Sequence, residues 1–377
     1  MKVLFLSHYS GLLGSNRSLA SIVCYFKRQG VDVSVLLPKR GPFFDYLQSM
    51  NIPVLKFCFF YETLYYKWNR KYLLLPMLWL YNFIAFPFLL IKIKKLNPDV
   101  IYTNSSADLY SVFFAKILRR KHIMHVREFM QEDFGARCIF GRNIKKKIIS
   151  KSNLLIFISR SLADAVVGQV PEYGKVIYNG LPIPTHVGEY IPLKHNLRIG
   201  VVGNFDVSKQ QHLAIEYFSQ IKNVFPEMTL HLVGDKEGPY KRKLFDLVKK
   251  MHLQDSVYFE GFIAETEKIY ECFDVLLMCS RSEAFGRVTI EAMLRNKPVI
   301  GFNAGGTPEL ISNQKTGFLF NDFKGVLSSL NFIVSDVVAT QSIVENARNH
   351  AARMFDESSY SLNVFDFVRK NIMRETL

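Results

Sequence analysis

Ser280-Arg281-Ser282-Glu283-Ala284-Phe285-Gly286-Arg287-Val288-Thr289-Ile290-Glu291-Ala292-Met293 follows an unbroken apolar run at 275–279 and leads into a helical pattern at 288–294. The short apolar run reads as a buried strand, so the stretch is a strand–loop–helix junction. Gly286 lets the backbone turn and lets a ligand come close to it. The first amides of a helix have no partners inside it and carry the positive end of its dipole, which makes the turn at Gly286, Arg287 and Val288 suited to a phosphate or diphosphate. Glu283 precedes the helix and Glu291 lies in its first two turns. A carboxylate can accept two hydrogen bonds from a vicinal diol such as a ribose. On their own, two glutamates at this spacing are commonly ordinary acids that stabilise a helix start.

The same alternation extends outward in both directions. Strands are expected at 198–203, 229–234, 257–261, 275–279 and 298–302, with helices at 210–222, 240–251, 266–272 and 288–294. Upstream, strands are expected at 3–7, 33–38, 54–57, 99–103, 122–126 and 154–159. Helices are expected there at 108–118, 144–150, 161–169 and 18–29, the last closed by Gly30. Strand–helix alternation with β-branched strands implies parallel sheets covered on both faces. The stretch 179–193 carries Pro182, Pro184, Pro192 and Gly188 and reads as a hinge. A chain of 377 residues suits two domains. The expected fold class is therefore α/β: two facing, doubly wound, Rossmann-like domains at 1–185 and 194–355 with an interdomain cleft. An amphipathic stretch at 360–374 lies in a final segment, 356–377, read as a helix crossing back to the first domain. In open α/β sheets ligands bind beyond the carboxyl ends of the strands, so the loops there are where chemistry belongs.

Hydrophobic residues make up 49% and charged residues 21%, a globular composition. The net charge of +15 calls for an anionic partner. Zinc-finger spacing, RNA-binding sheet motifs and basic-region heptads are all missing, which sets nucleic acid aside. The five cysteines, Cys24, Cys58, Cys138, Cys272 and Cys279, form no C-x-x-C pair and read as buried free thiols of a reducing cytosol. The apolar run after Met1-Lys2 is too short for a secretory signal, so the chain is expected to be cytoplasmic. Residues 73–91 are almost wholly apolar, with Trp79, Tyr81, Phe83, Phe86 and Phe88, interrupted by Pro76, Asn82 and Pro87 and followed by Lys92, Lys94 and Lys95. Internal prolines disfavour a regular spanning helix. The segment reads equally as a buried core helix or as one lying on a bilayer. The histidines show no H-E-x-x-H pairing, and no metal site is expected.

The E-x7-E pattern around F-G-x-V, followed by E-A-M and then P-V-I, resembles that of the retaining GT-B glycosyltransferases of family GT4. Gly203 to Lys209 is similar to the family's G-R-x-x-x-x-K element, and residues 257–262 to its strand ending in glycine. Gly305-Gly306 with Pro308-Glu309 resembles its G-G-x-P-E loop, Val176 to Gly180 its I-x-N-G approach to the linker, and Gly14-Ser15-Asn16-Arg17-Ser18-Leu19 its N-terminal glycine loop. The resemblance covers most of the chain in the family's order.

It implies a role for each position. Glu283 faces the donor sugar at its reacting end, Glu291 holds the ribose hydroxyls, and Lys209 neutralises the diphosphate as charge builds on the leaving group. Gly203 and the amides of Gly286, Arg287 and Val288 assist, and the backbone at Phe262 and Ile263 edges the base. His125 points toward the sugar, where a neutral imidazole can hydrogen-bond a hydroxyl. Arg127 and Glu128 read alternatively as a structural pair. Gly11, Gly14 and Ser15 belong to the first strand–helix loop, placed to frame phosphate or acceptor. One departure stands out: Asn204 replaces the family's arginine, and Arg287 is expected to supply the missing charge. The implied activity is retaining transfer of a sugar from a UDP- or GDP-sugar to the hydroxyl of an acceptor glycan or glycolipid. Neither metal nor other cofactor is implied. The basic first domain and the aromatic segment 57–93 further suggest a lipid-linked acceptor, surface-polysaccharide assembly and a peripheral position on the anionic inner face of the cytoplasmic membrane. The alternatives are an epimerase or phosphorylase on the same architecture, or a non-catalytic nucleotide-sugar-binding protein, which Asn204 favours and Glu283, Lys209 and Glu291 oppose.

Overall fold

The computed structural model of the chain describes residues 1–12, 14–61, 65–66, 74–185, 187–188 and 196–372. The hinge reading at 179–193 and the histidines His186 and His195 therefore lie partly or wholly outside the described residues. The chain divides into two compact units, Met1–Gly180 with Glu357–Leu377, and Leu181–Asp356.

In the first unit the elements run β1 (Lys2–Leu6), α1 (Gly14–Arg28), β2 (Asp32–Leu37), α2 (Pro42–Ser49), β3 (Val54–Lys56), β4 (Tyr65–Tyr66), α3 (Leu75–Leu96), β5 (Val100–Thr103), α4 (Tyr110–Ile117), β6 (Lys121–Val126), α5 (Gln131–Phe134), β7 (Arg137–Cys138), α6 (Gly141–Ile149), β8 (Leu154–Phe157), α7 (Arg160–Val167) and β9 (Gly174–Val176). Seven strands form one parallel sheet in the order β3-β2-β1-β5-β6-β8-β9. β4 and β7 pair antiparallel outside it. The strands are apolar on both faces because helices cover both faces. One side packs Phe5, Val35, Tyr102 and Ile156 against α1, which supplies Phe26, and against the C-terminal helix Glu357–Ile372, which supplies Tyr360, Val364, Phe365 and Val368. Phe26 and Phe365 meet edge to face at 5.1 Å. Each such fully buried side chain stabilises the unit by about 1.5–3 kcal/mol.

The second unit runs β10 (Arg198–Val202), α8 (Gln211–Ile221), β11 (Thr229–Val233), α9 (Pro239–Lys250), β12 (Val257–Gly261), α10 (Thr266–Glu271), β13 (Val275–Met278), α11 (Arg287–Met293), β14 (Val299–Phe302), α12 (Thr307–Leu310), β15 (Phe318–Phe320), α13 (Phe323–Ser335) and α14 (Val337–Met354). Its six parallel strands lie in the order β12-β11-β10-β13-β14-β15. Both sheets thus start in the middle, grow outward by two strands, and then reverse. This is the Rossmann-like order in which the reversal opens a crevice at the strand ends. Asp322 and Asp336 cap α13 and α14 by accepting from the backbone amides of Gly325 and Ala339.

Several expectations need correction. α1 begins at Gly14 rather than near residue 18, so Gly14 belongs to a helix and not to a loop. Only Cys279 of the five cysteines is buried, Cys58 is exposed, and burial pushes the Cys279 thiol up to about 12. The strands at 174–176 and 318–320 and the helices α2, α13 and α14 were not anticipated. Arg127 and Glu128 do not pair with each other: the first bonds Asn104, Asn179, His125 and Tyr360, and the second accepts from Ser105 and Ser106.

The apolar segment is also not a core helix. α3 continues through Pro87, and only Asn82, Ala85, Leu89 and Ile93 are buried. Pro76 sits at its first turn, where the missing amide costs nothing. The interior Pro87 costs about 3 kcal/mol, which burial of Ala85 before it and Leu89 and Ile93 after it offsets.

Two histidines of the first unit are fully buried. His122 lies between Ser152 and Thr103, each 2.9 Å from a ring nitrogen, and burial pushes it down to about 3. His125 is held well below the usual range by burial and by the Arg127 guanidinium. Unfolded histidines take up protons below about 6.5, whereas these stay neutral. Their stabilising contribution is therefore complete above that pH and is lost as pH falls below it, for His122 down to about 3. Asp108, pushed up to about 7 by burial, acts in the opposite sense between about 7 and 4. The urea midpoint is expected to fall between pH 7.5 and 5, and to fall less in a His122→Asn variant. A wild-type midpoint that holds or rises over that range contradicts this assignment.

Candidate active site

β10 and β13 are neighbours in the second sheet, yet the chain leaves them toward opposite sides, to β11 and to β14. The loops after these two strands face each other across the reversal point. After β10, Gly203 (φ 148°) turns the chain, and Phe205 is buried beneath the loop. Asp206 then caps the short 3-10 turn Val207–Lys209, accepting from the Ser208 amide at 3.2 Å, and also pairs with Lys236. Gln211, fully buried, donates to the carbonyl of Asn204 at 2.9 Å and so fixes the loop from below. After β13, Ser280 donates to the Ser208 carbonyl at 2.8 Å and ties the two loops together. Above this tie, Lys209 Nζ lies 2.6 Å from Glu283 Oε2.

The Glu283 loop is buttressed by Gly305-Gly306. The Gly306 amide donates to the Glu283 carbonyl at 2.7 Å. A Cβ on Gly305 (φ 61°) would stand 2.8 Å from that carbonyl oxygen, and one on Gly306 would stand 2.9 Å from the carbonyl oxygen of Ala284. These glycines thus allow a close backbone contact. Gly286 (φ 92°) then turns the chain into α11, and Glu283 packs against this turn.

Glu291 follows one turn along α11. Its Oε2 lies 3.0 Å from the Tyr270 hydroxyl, which is also 3.1 Å from the Val288 carbonyl. Its Oε1 is 3.7 Å from the Arg287 guanidinium, and Arg295 donates to its main-chain carbonyl at 3.0 Å. Arg287 thus pairs with the acid expected to hold ribose hydroxyls, and the proposed substitution for the charge missing at the exposed Asn204 would draw on this same guanidinium. Phe262 stands 72% exposed just past β12 and Ile263 is half-buried beside it. Lys209, Glu283, Gly203, Asn204 and Gly286 therefore converge on one strand-end crevice. Tyr270 orients Glu291 and Gln211 holds the loop after β10, and nothing in the helical patterns of α10 and α8 marks them apart from neighbouring polar residues; Ser280 opens the motif stretch, but its tie to Ser208 joins residues 72 positions apart in the chain.

The first unit carries its own polar cluster at strand ends. Asn16, fully buried on α1, accepts from Ser7 at 2.7 Å and donates to the carbonyls of Tyr9 and Gly11. Ser15 bonds the Tyr9 hydroxyl at 2.7 Å. His125 is wholly buried, with Nδ1 2.6 Å from the Tyr102 hydroxyl and 3.2 Å from Arg127. A guanidinium can only donate, so Nδ1 accepts and the ring proton sits on Nε2. That Nε2 is buried without a hydrogen-bond partner. His125 therefore offers an N–H donor and not a base. Among the described residues no group of three or more His, Cys, Asp or Glu side chains could hold a metal ion.

Gly305→Ala forces a positive-φ residue against the Glu283 backbone, a strain of about 1–3 kcal/mol. Its melting temperature is expected to fall by several degrees, while Gly188→Ala, whose Cβ meets only open space, leaves it unchanged. Equal melting temperatures for the two variants would rule out the buttress.

Residues 13–183 match the family "Glycosyltransferase Family 4" and residues 191–350 match "Glycosyl transferases group 1". The chain is 30% identical over 174 residues to the N-acetyl-alpha-D-glucosaminyl L-malate synthase of Bacillus anthracis, covering 45% of each. It is 29% identical over 262 residues to an uncharacterised 41.2 kDa protein in the cps region of Klebsiella pneumoniae, covering 62% of this chain and 68% of that one. The chain spans about half the length of the curated relatives it matches. The crystal structure of Anabaena Alr3699/HepE in complex with UDP-glucose superposes with a TM-score of 0.77 at 25% identity, covering 98% of this chain and 100% of that one. With two Rossmann-like units of the GT-B class, a family match across each, and motif residues gathered at one reversal point, the chain belongs to the GT4-type, group 1 glycosyltransferases.

Proposed function

We propose that the chain moves a hexose from a UDP-sugar to an acceptor hydroxyl with retention at the anomeric carbon, and that the acceptor is lipid-linked or part of a surface polysaccharide. The observation that carries this is the Lys209–Glu283 pair at the reversal point, beside the α11 turn that leads to Glu291. A cation and a carboxylate 2.6 Å apart match the two halves of a glycosyl phosphate. Lys209 meets the phosphate oxygens and Glu283 meets the hydroxyls of the sugar joined to them. Glu291, oriented by Tyr270 and Arg287, takes the ribose diol. UDP is favoured over GDP because HepE is bound to UDP-glucose. The surface-polysaccharide acceptor is supported by the relative in a cps region.

In this reading the bond from the anomeric carbon to the diphosphate breaks as the acceptor oxygen attacks from the same face. The acceptor proton passes to the departing phosphate oxygen, and UDP leaves. Lys209 gains most when charge has built up on that oxygen, so it favours the transition state over the ground state. We assign charge neutralisation to this side chain and to the α11 turn rather than to a divalent ion or other cofactor. His125, neutral and offering Nε2–H, is assigned to holding a substrate hydroxyl.

Incubation with UDP-glucose and related donors tests the proposal. Lys209→Ala is expected to lower kcat by about 10²–10³-fold, Glu283→Ala to abolish transfer, and Glu291→Gln chiefly to weaken donor affinity. The anomeric coupling constant in the product NMR spectrum is expected to show the donor's configuration, and EDTA to leave the rate unchanged. Turnover undiminished in Lys209→Ala, or an inverted product, would overturn it.

A further inference from the structure

The outward face of α3 serves nothing in the site just described. Its 22 residues extend about 33 Å. Asn82, Ala85, Leu89 and Ile93 form a stripe at helical spacing that faces the first unit, where Ala85, Leu89 and Ile93 pack with Leu4, Leu6, Leu36 and Ile101. Polar bonds hold the helix in that place: Asn82 exchanges two hydrogen bonds with the Phe60 backbone, and Lys92 donates to the Lys56 carbonyl. At 100° per residue, Met77, Leu80, Ile84, Phe88 and Ile91 fall on the opposite side of the helix. All five are more than half exposed, and Phe83 beside them is 80% exposed. A contiguous apolar strip of this length is beyond what soluble monomers ordinarily leave to water.

The charge around the strip identifies its occupant. From 63 to 98 the sequence has no aspartate or glutamate. Lys67, Arg70 and Lys71 precede the helix, and Lys92, Lys94 and Lys95 close it. A second copy docking through the same helix would bring these cations to one another with no acid from residues 63–98 to pair them, because a two-fold interface presents the same surface twice. An anionic bilayer offers hydrocarbon for the strip and headgroup charge for the exposed Lys94 and Lys95. Trp79 and Tyr81 suit the boundary between the two. By length and composition alone α3 could cross a membrane. Its inward stripe, however, is committed to the sheet, which leaves it lying in the plane.

We infer that α3 is an in-plane anchor, seating its outward strip about 5–10 Å into an anionic lipid surface. This stands on α3 itself and not on the transfer reading: a chain inactive on every UDP-sugar would still bind vesicles.

The test is co-flotation of the full chain with vesicles of 7:3 phosphatidylcholine:phosphatidylglycerol, compared with pure phosphatidylcholine, at low and high salt. In a Trp68→Phe background Trp79 is the sole tryptophan, and its emission is read with shallowly brominated lipid. Flotation with the anionic vesicles at low salt is expected, weakened by high salt and by neutral lipid, with Trp79 blue-shifted and quenched. Ile84→Glu/Phe88→Glu, both on the exposed side, is expected to keep the wild-type circular dichroism melt and lose at least tenfold in partitioning. Absence of flotation at low salt, flotation unaffected by the double substitution, or binding indifferent to anionic lipid overturns the inference. So does a wild-type dimer in sedimentation that the double substitution splits, which would assign the strip to a second copy.

Discussion

The contact between Lys209 and Glu283 depends on where a parallel sheet changes direction. Two adjacent strands end at the same edge, and their chains then depart to opposite sides, so side chains from distant parts of the sequence meet above the gap. The pair does little for stability: with Lys209 about one third exposed, such pairs are worth roughly 0–1 kcal/mol. Its surroundings are built to hold geometry. The Ser280–Ser208 tie, the buried Gln211 and the close backbone contact at Gly305-Gly306 all fix the two loops before any ligand arrives. Preorganisation of this sort is what a charge-stabilising site requires, because groups already aimed need no reorganisation during reaction.

The first unit applies the same order of strands to another purpose. Arg127 is buried with four bonds, to Asn104, Asn179, His125 and Tyr360, all neutral acceptors. Burying a guanidinium without hydrogen bonds is costly, and this cluster meets the cost with amide, hydroxyl and imidazole groups drawn from four separate segments. The cation in turn fixes the His125 tautomer and helps keep it neutral. The C-terminal helix completes the cluster through Tyr360 while packing Phe365 on Phe26. Removing that helix exposes a polar network as well as apolar surface.

The motif stretch at 280–293, the alternation of apolar runs with helical patterns and the positions of Lys209, Glu283 and Glu291 were legible because each depends on local order. A strand buried on both faces must be apolar, and a turn into a helix at positive φ favours glycine at Gly286. Strand and helix ends expected from pattern fall within a few residues of the observed ones in most cases. The start of α1 was misplaced because Gly14 and Asn16 lack the apolar spacing of the helix, and Asn16 is retained by hydrogen bonds to a neighbouring loop.

Sequence by itself therefore determined the α/β alternation, the two-unit division in outline and the chemical groups available at one crevice. Only the tertiary structure decided that Arg287 turns to Glu291, that Tyr270 reaches the same carboxylate, that His125 presents Nε2–H, and which side of α3 is left apolar and uncovered. These depend on contacts between residues far apart in the chain, and on which face of an element its neighbours cover. A helix apolar all round carries no periodic signal of its own burial, so its inward and outward sides are set by the sheet it rests on.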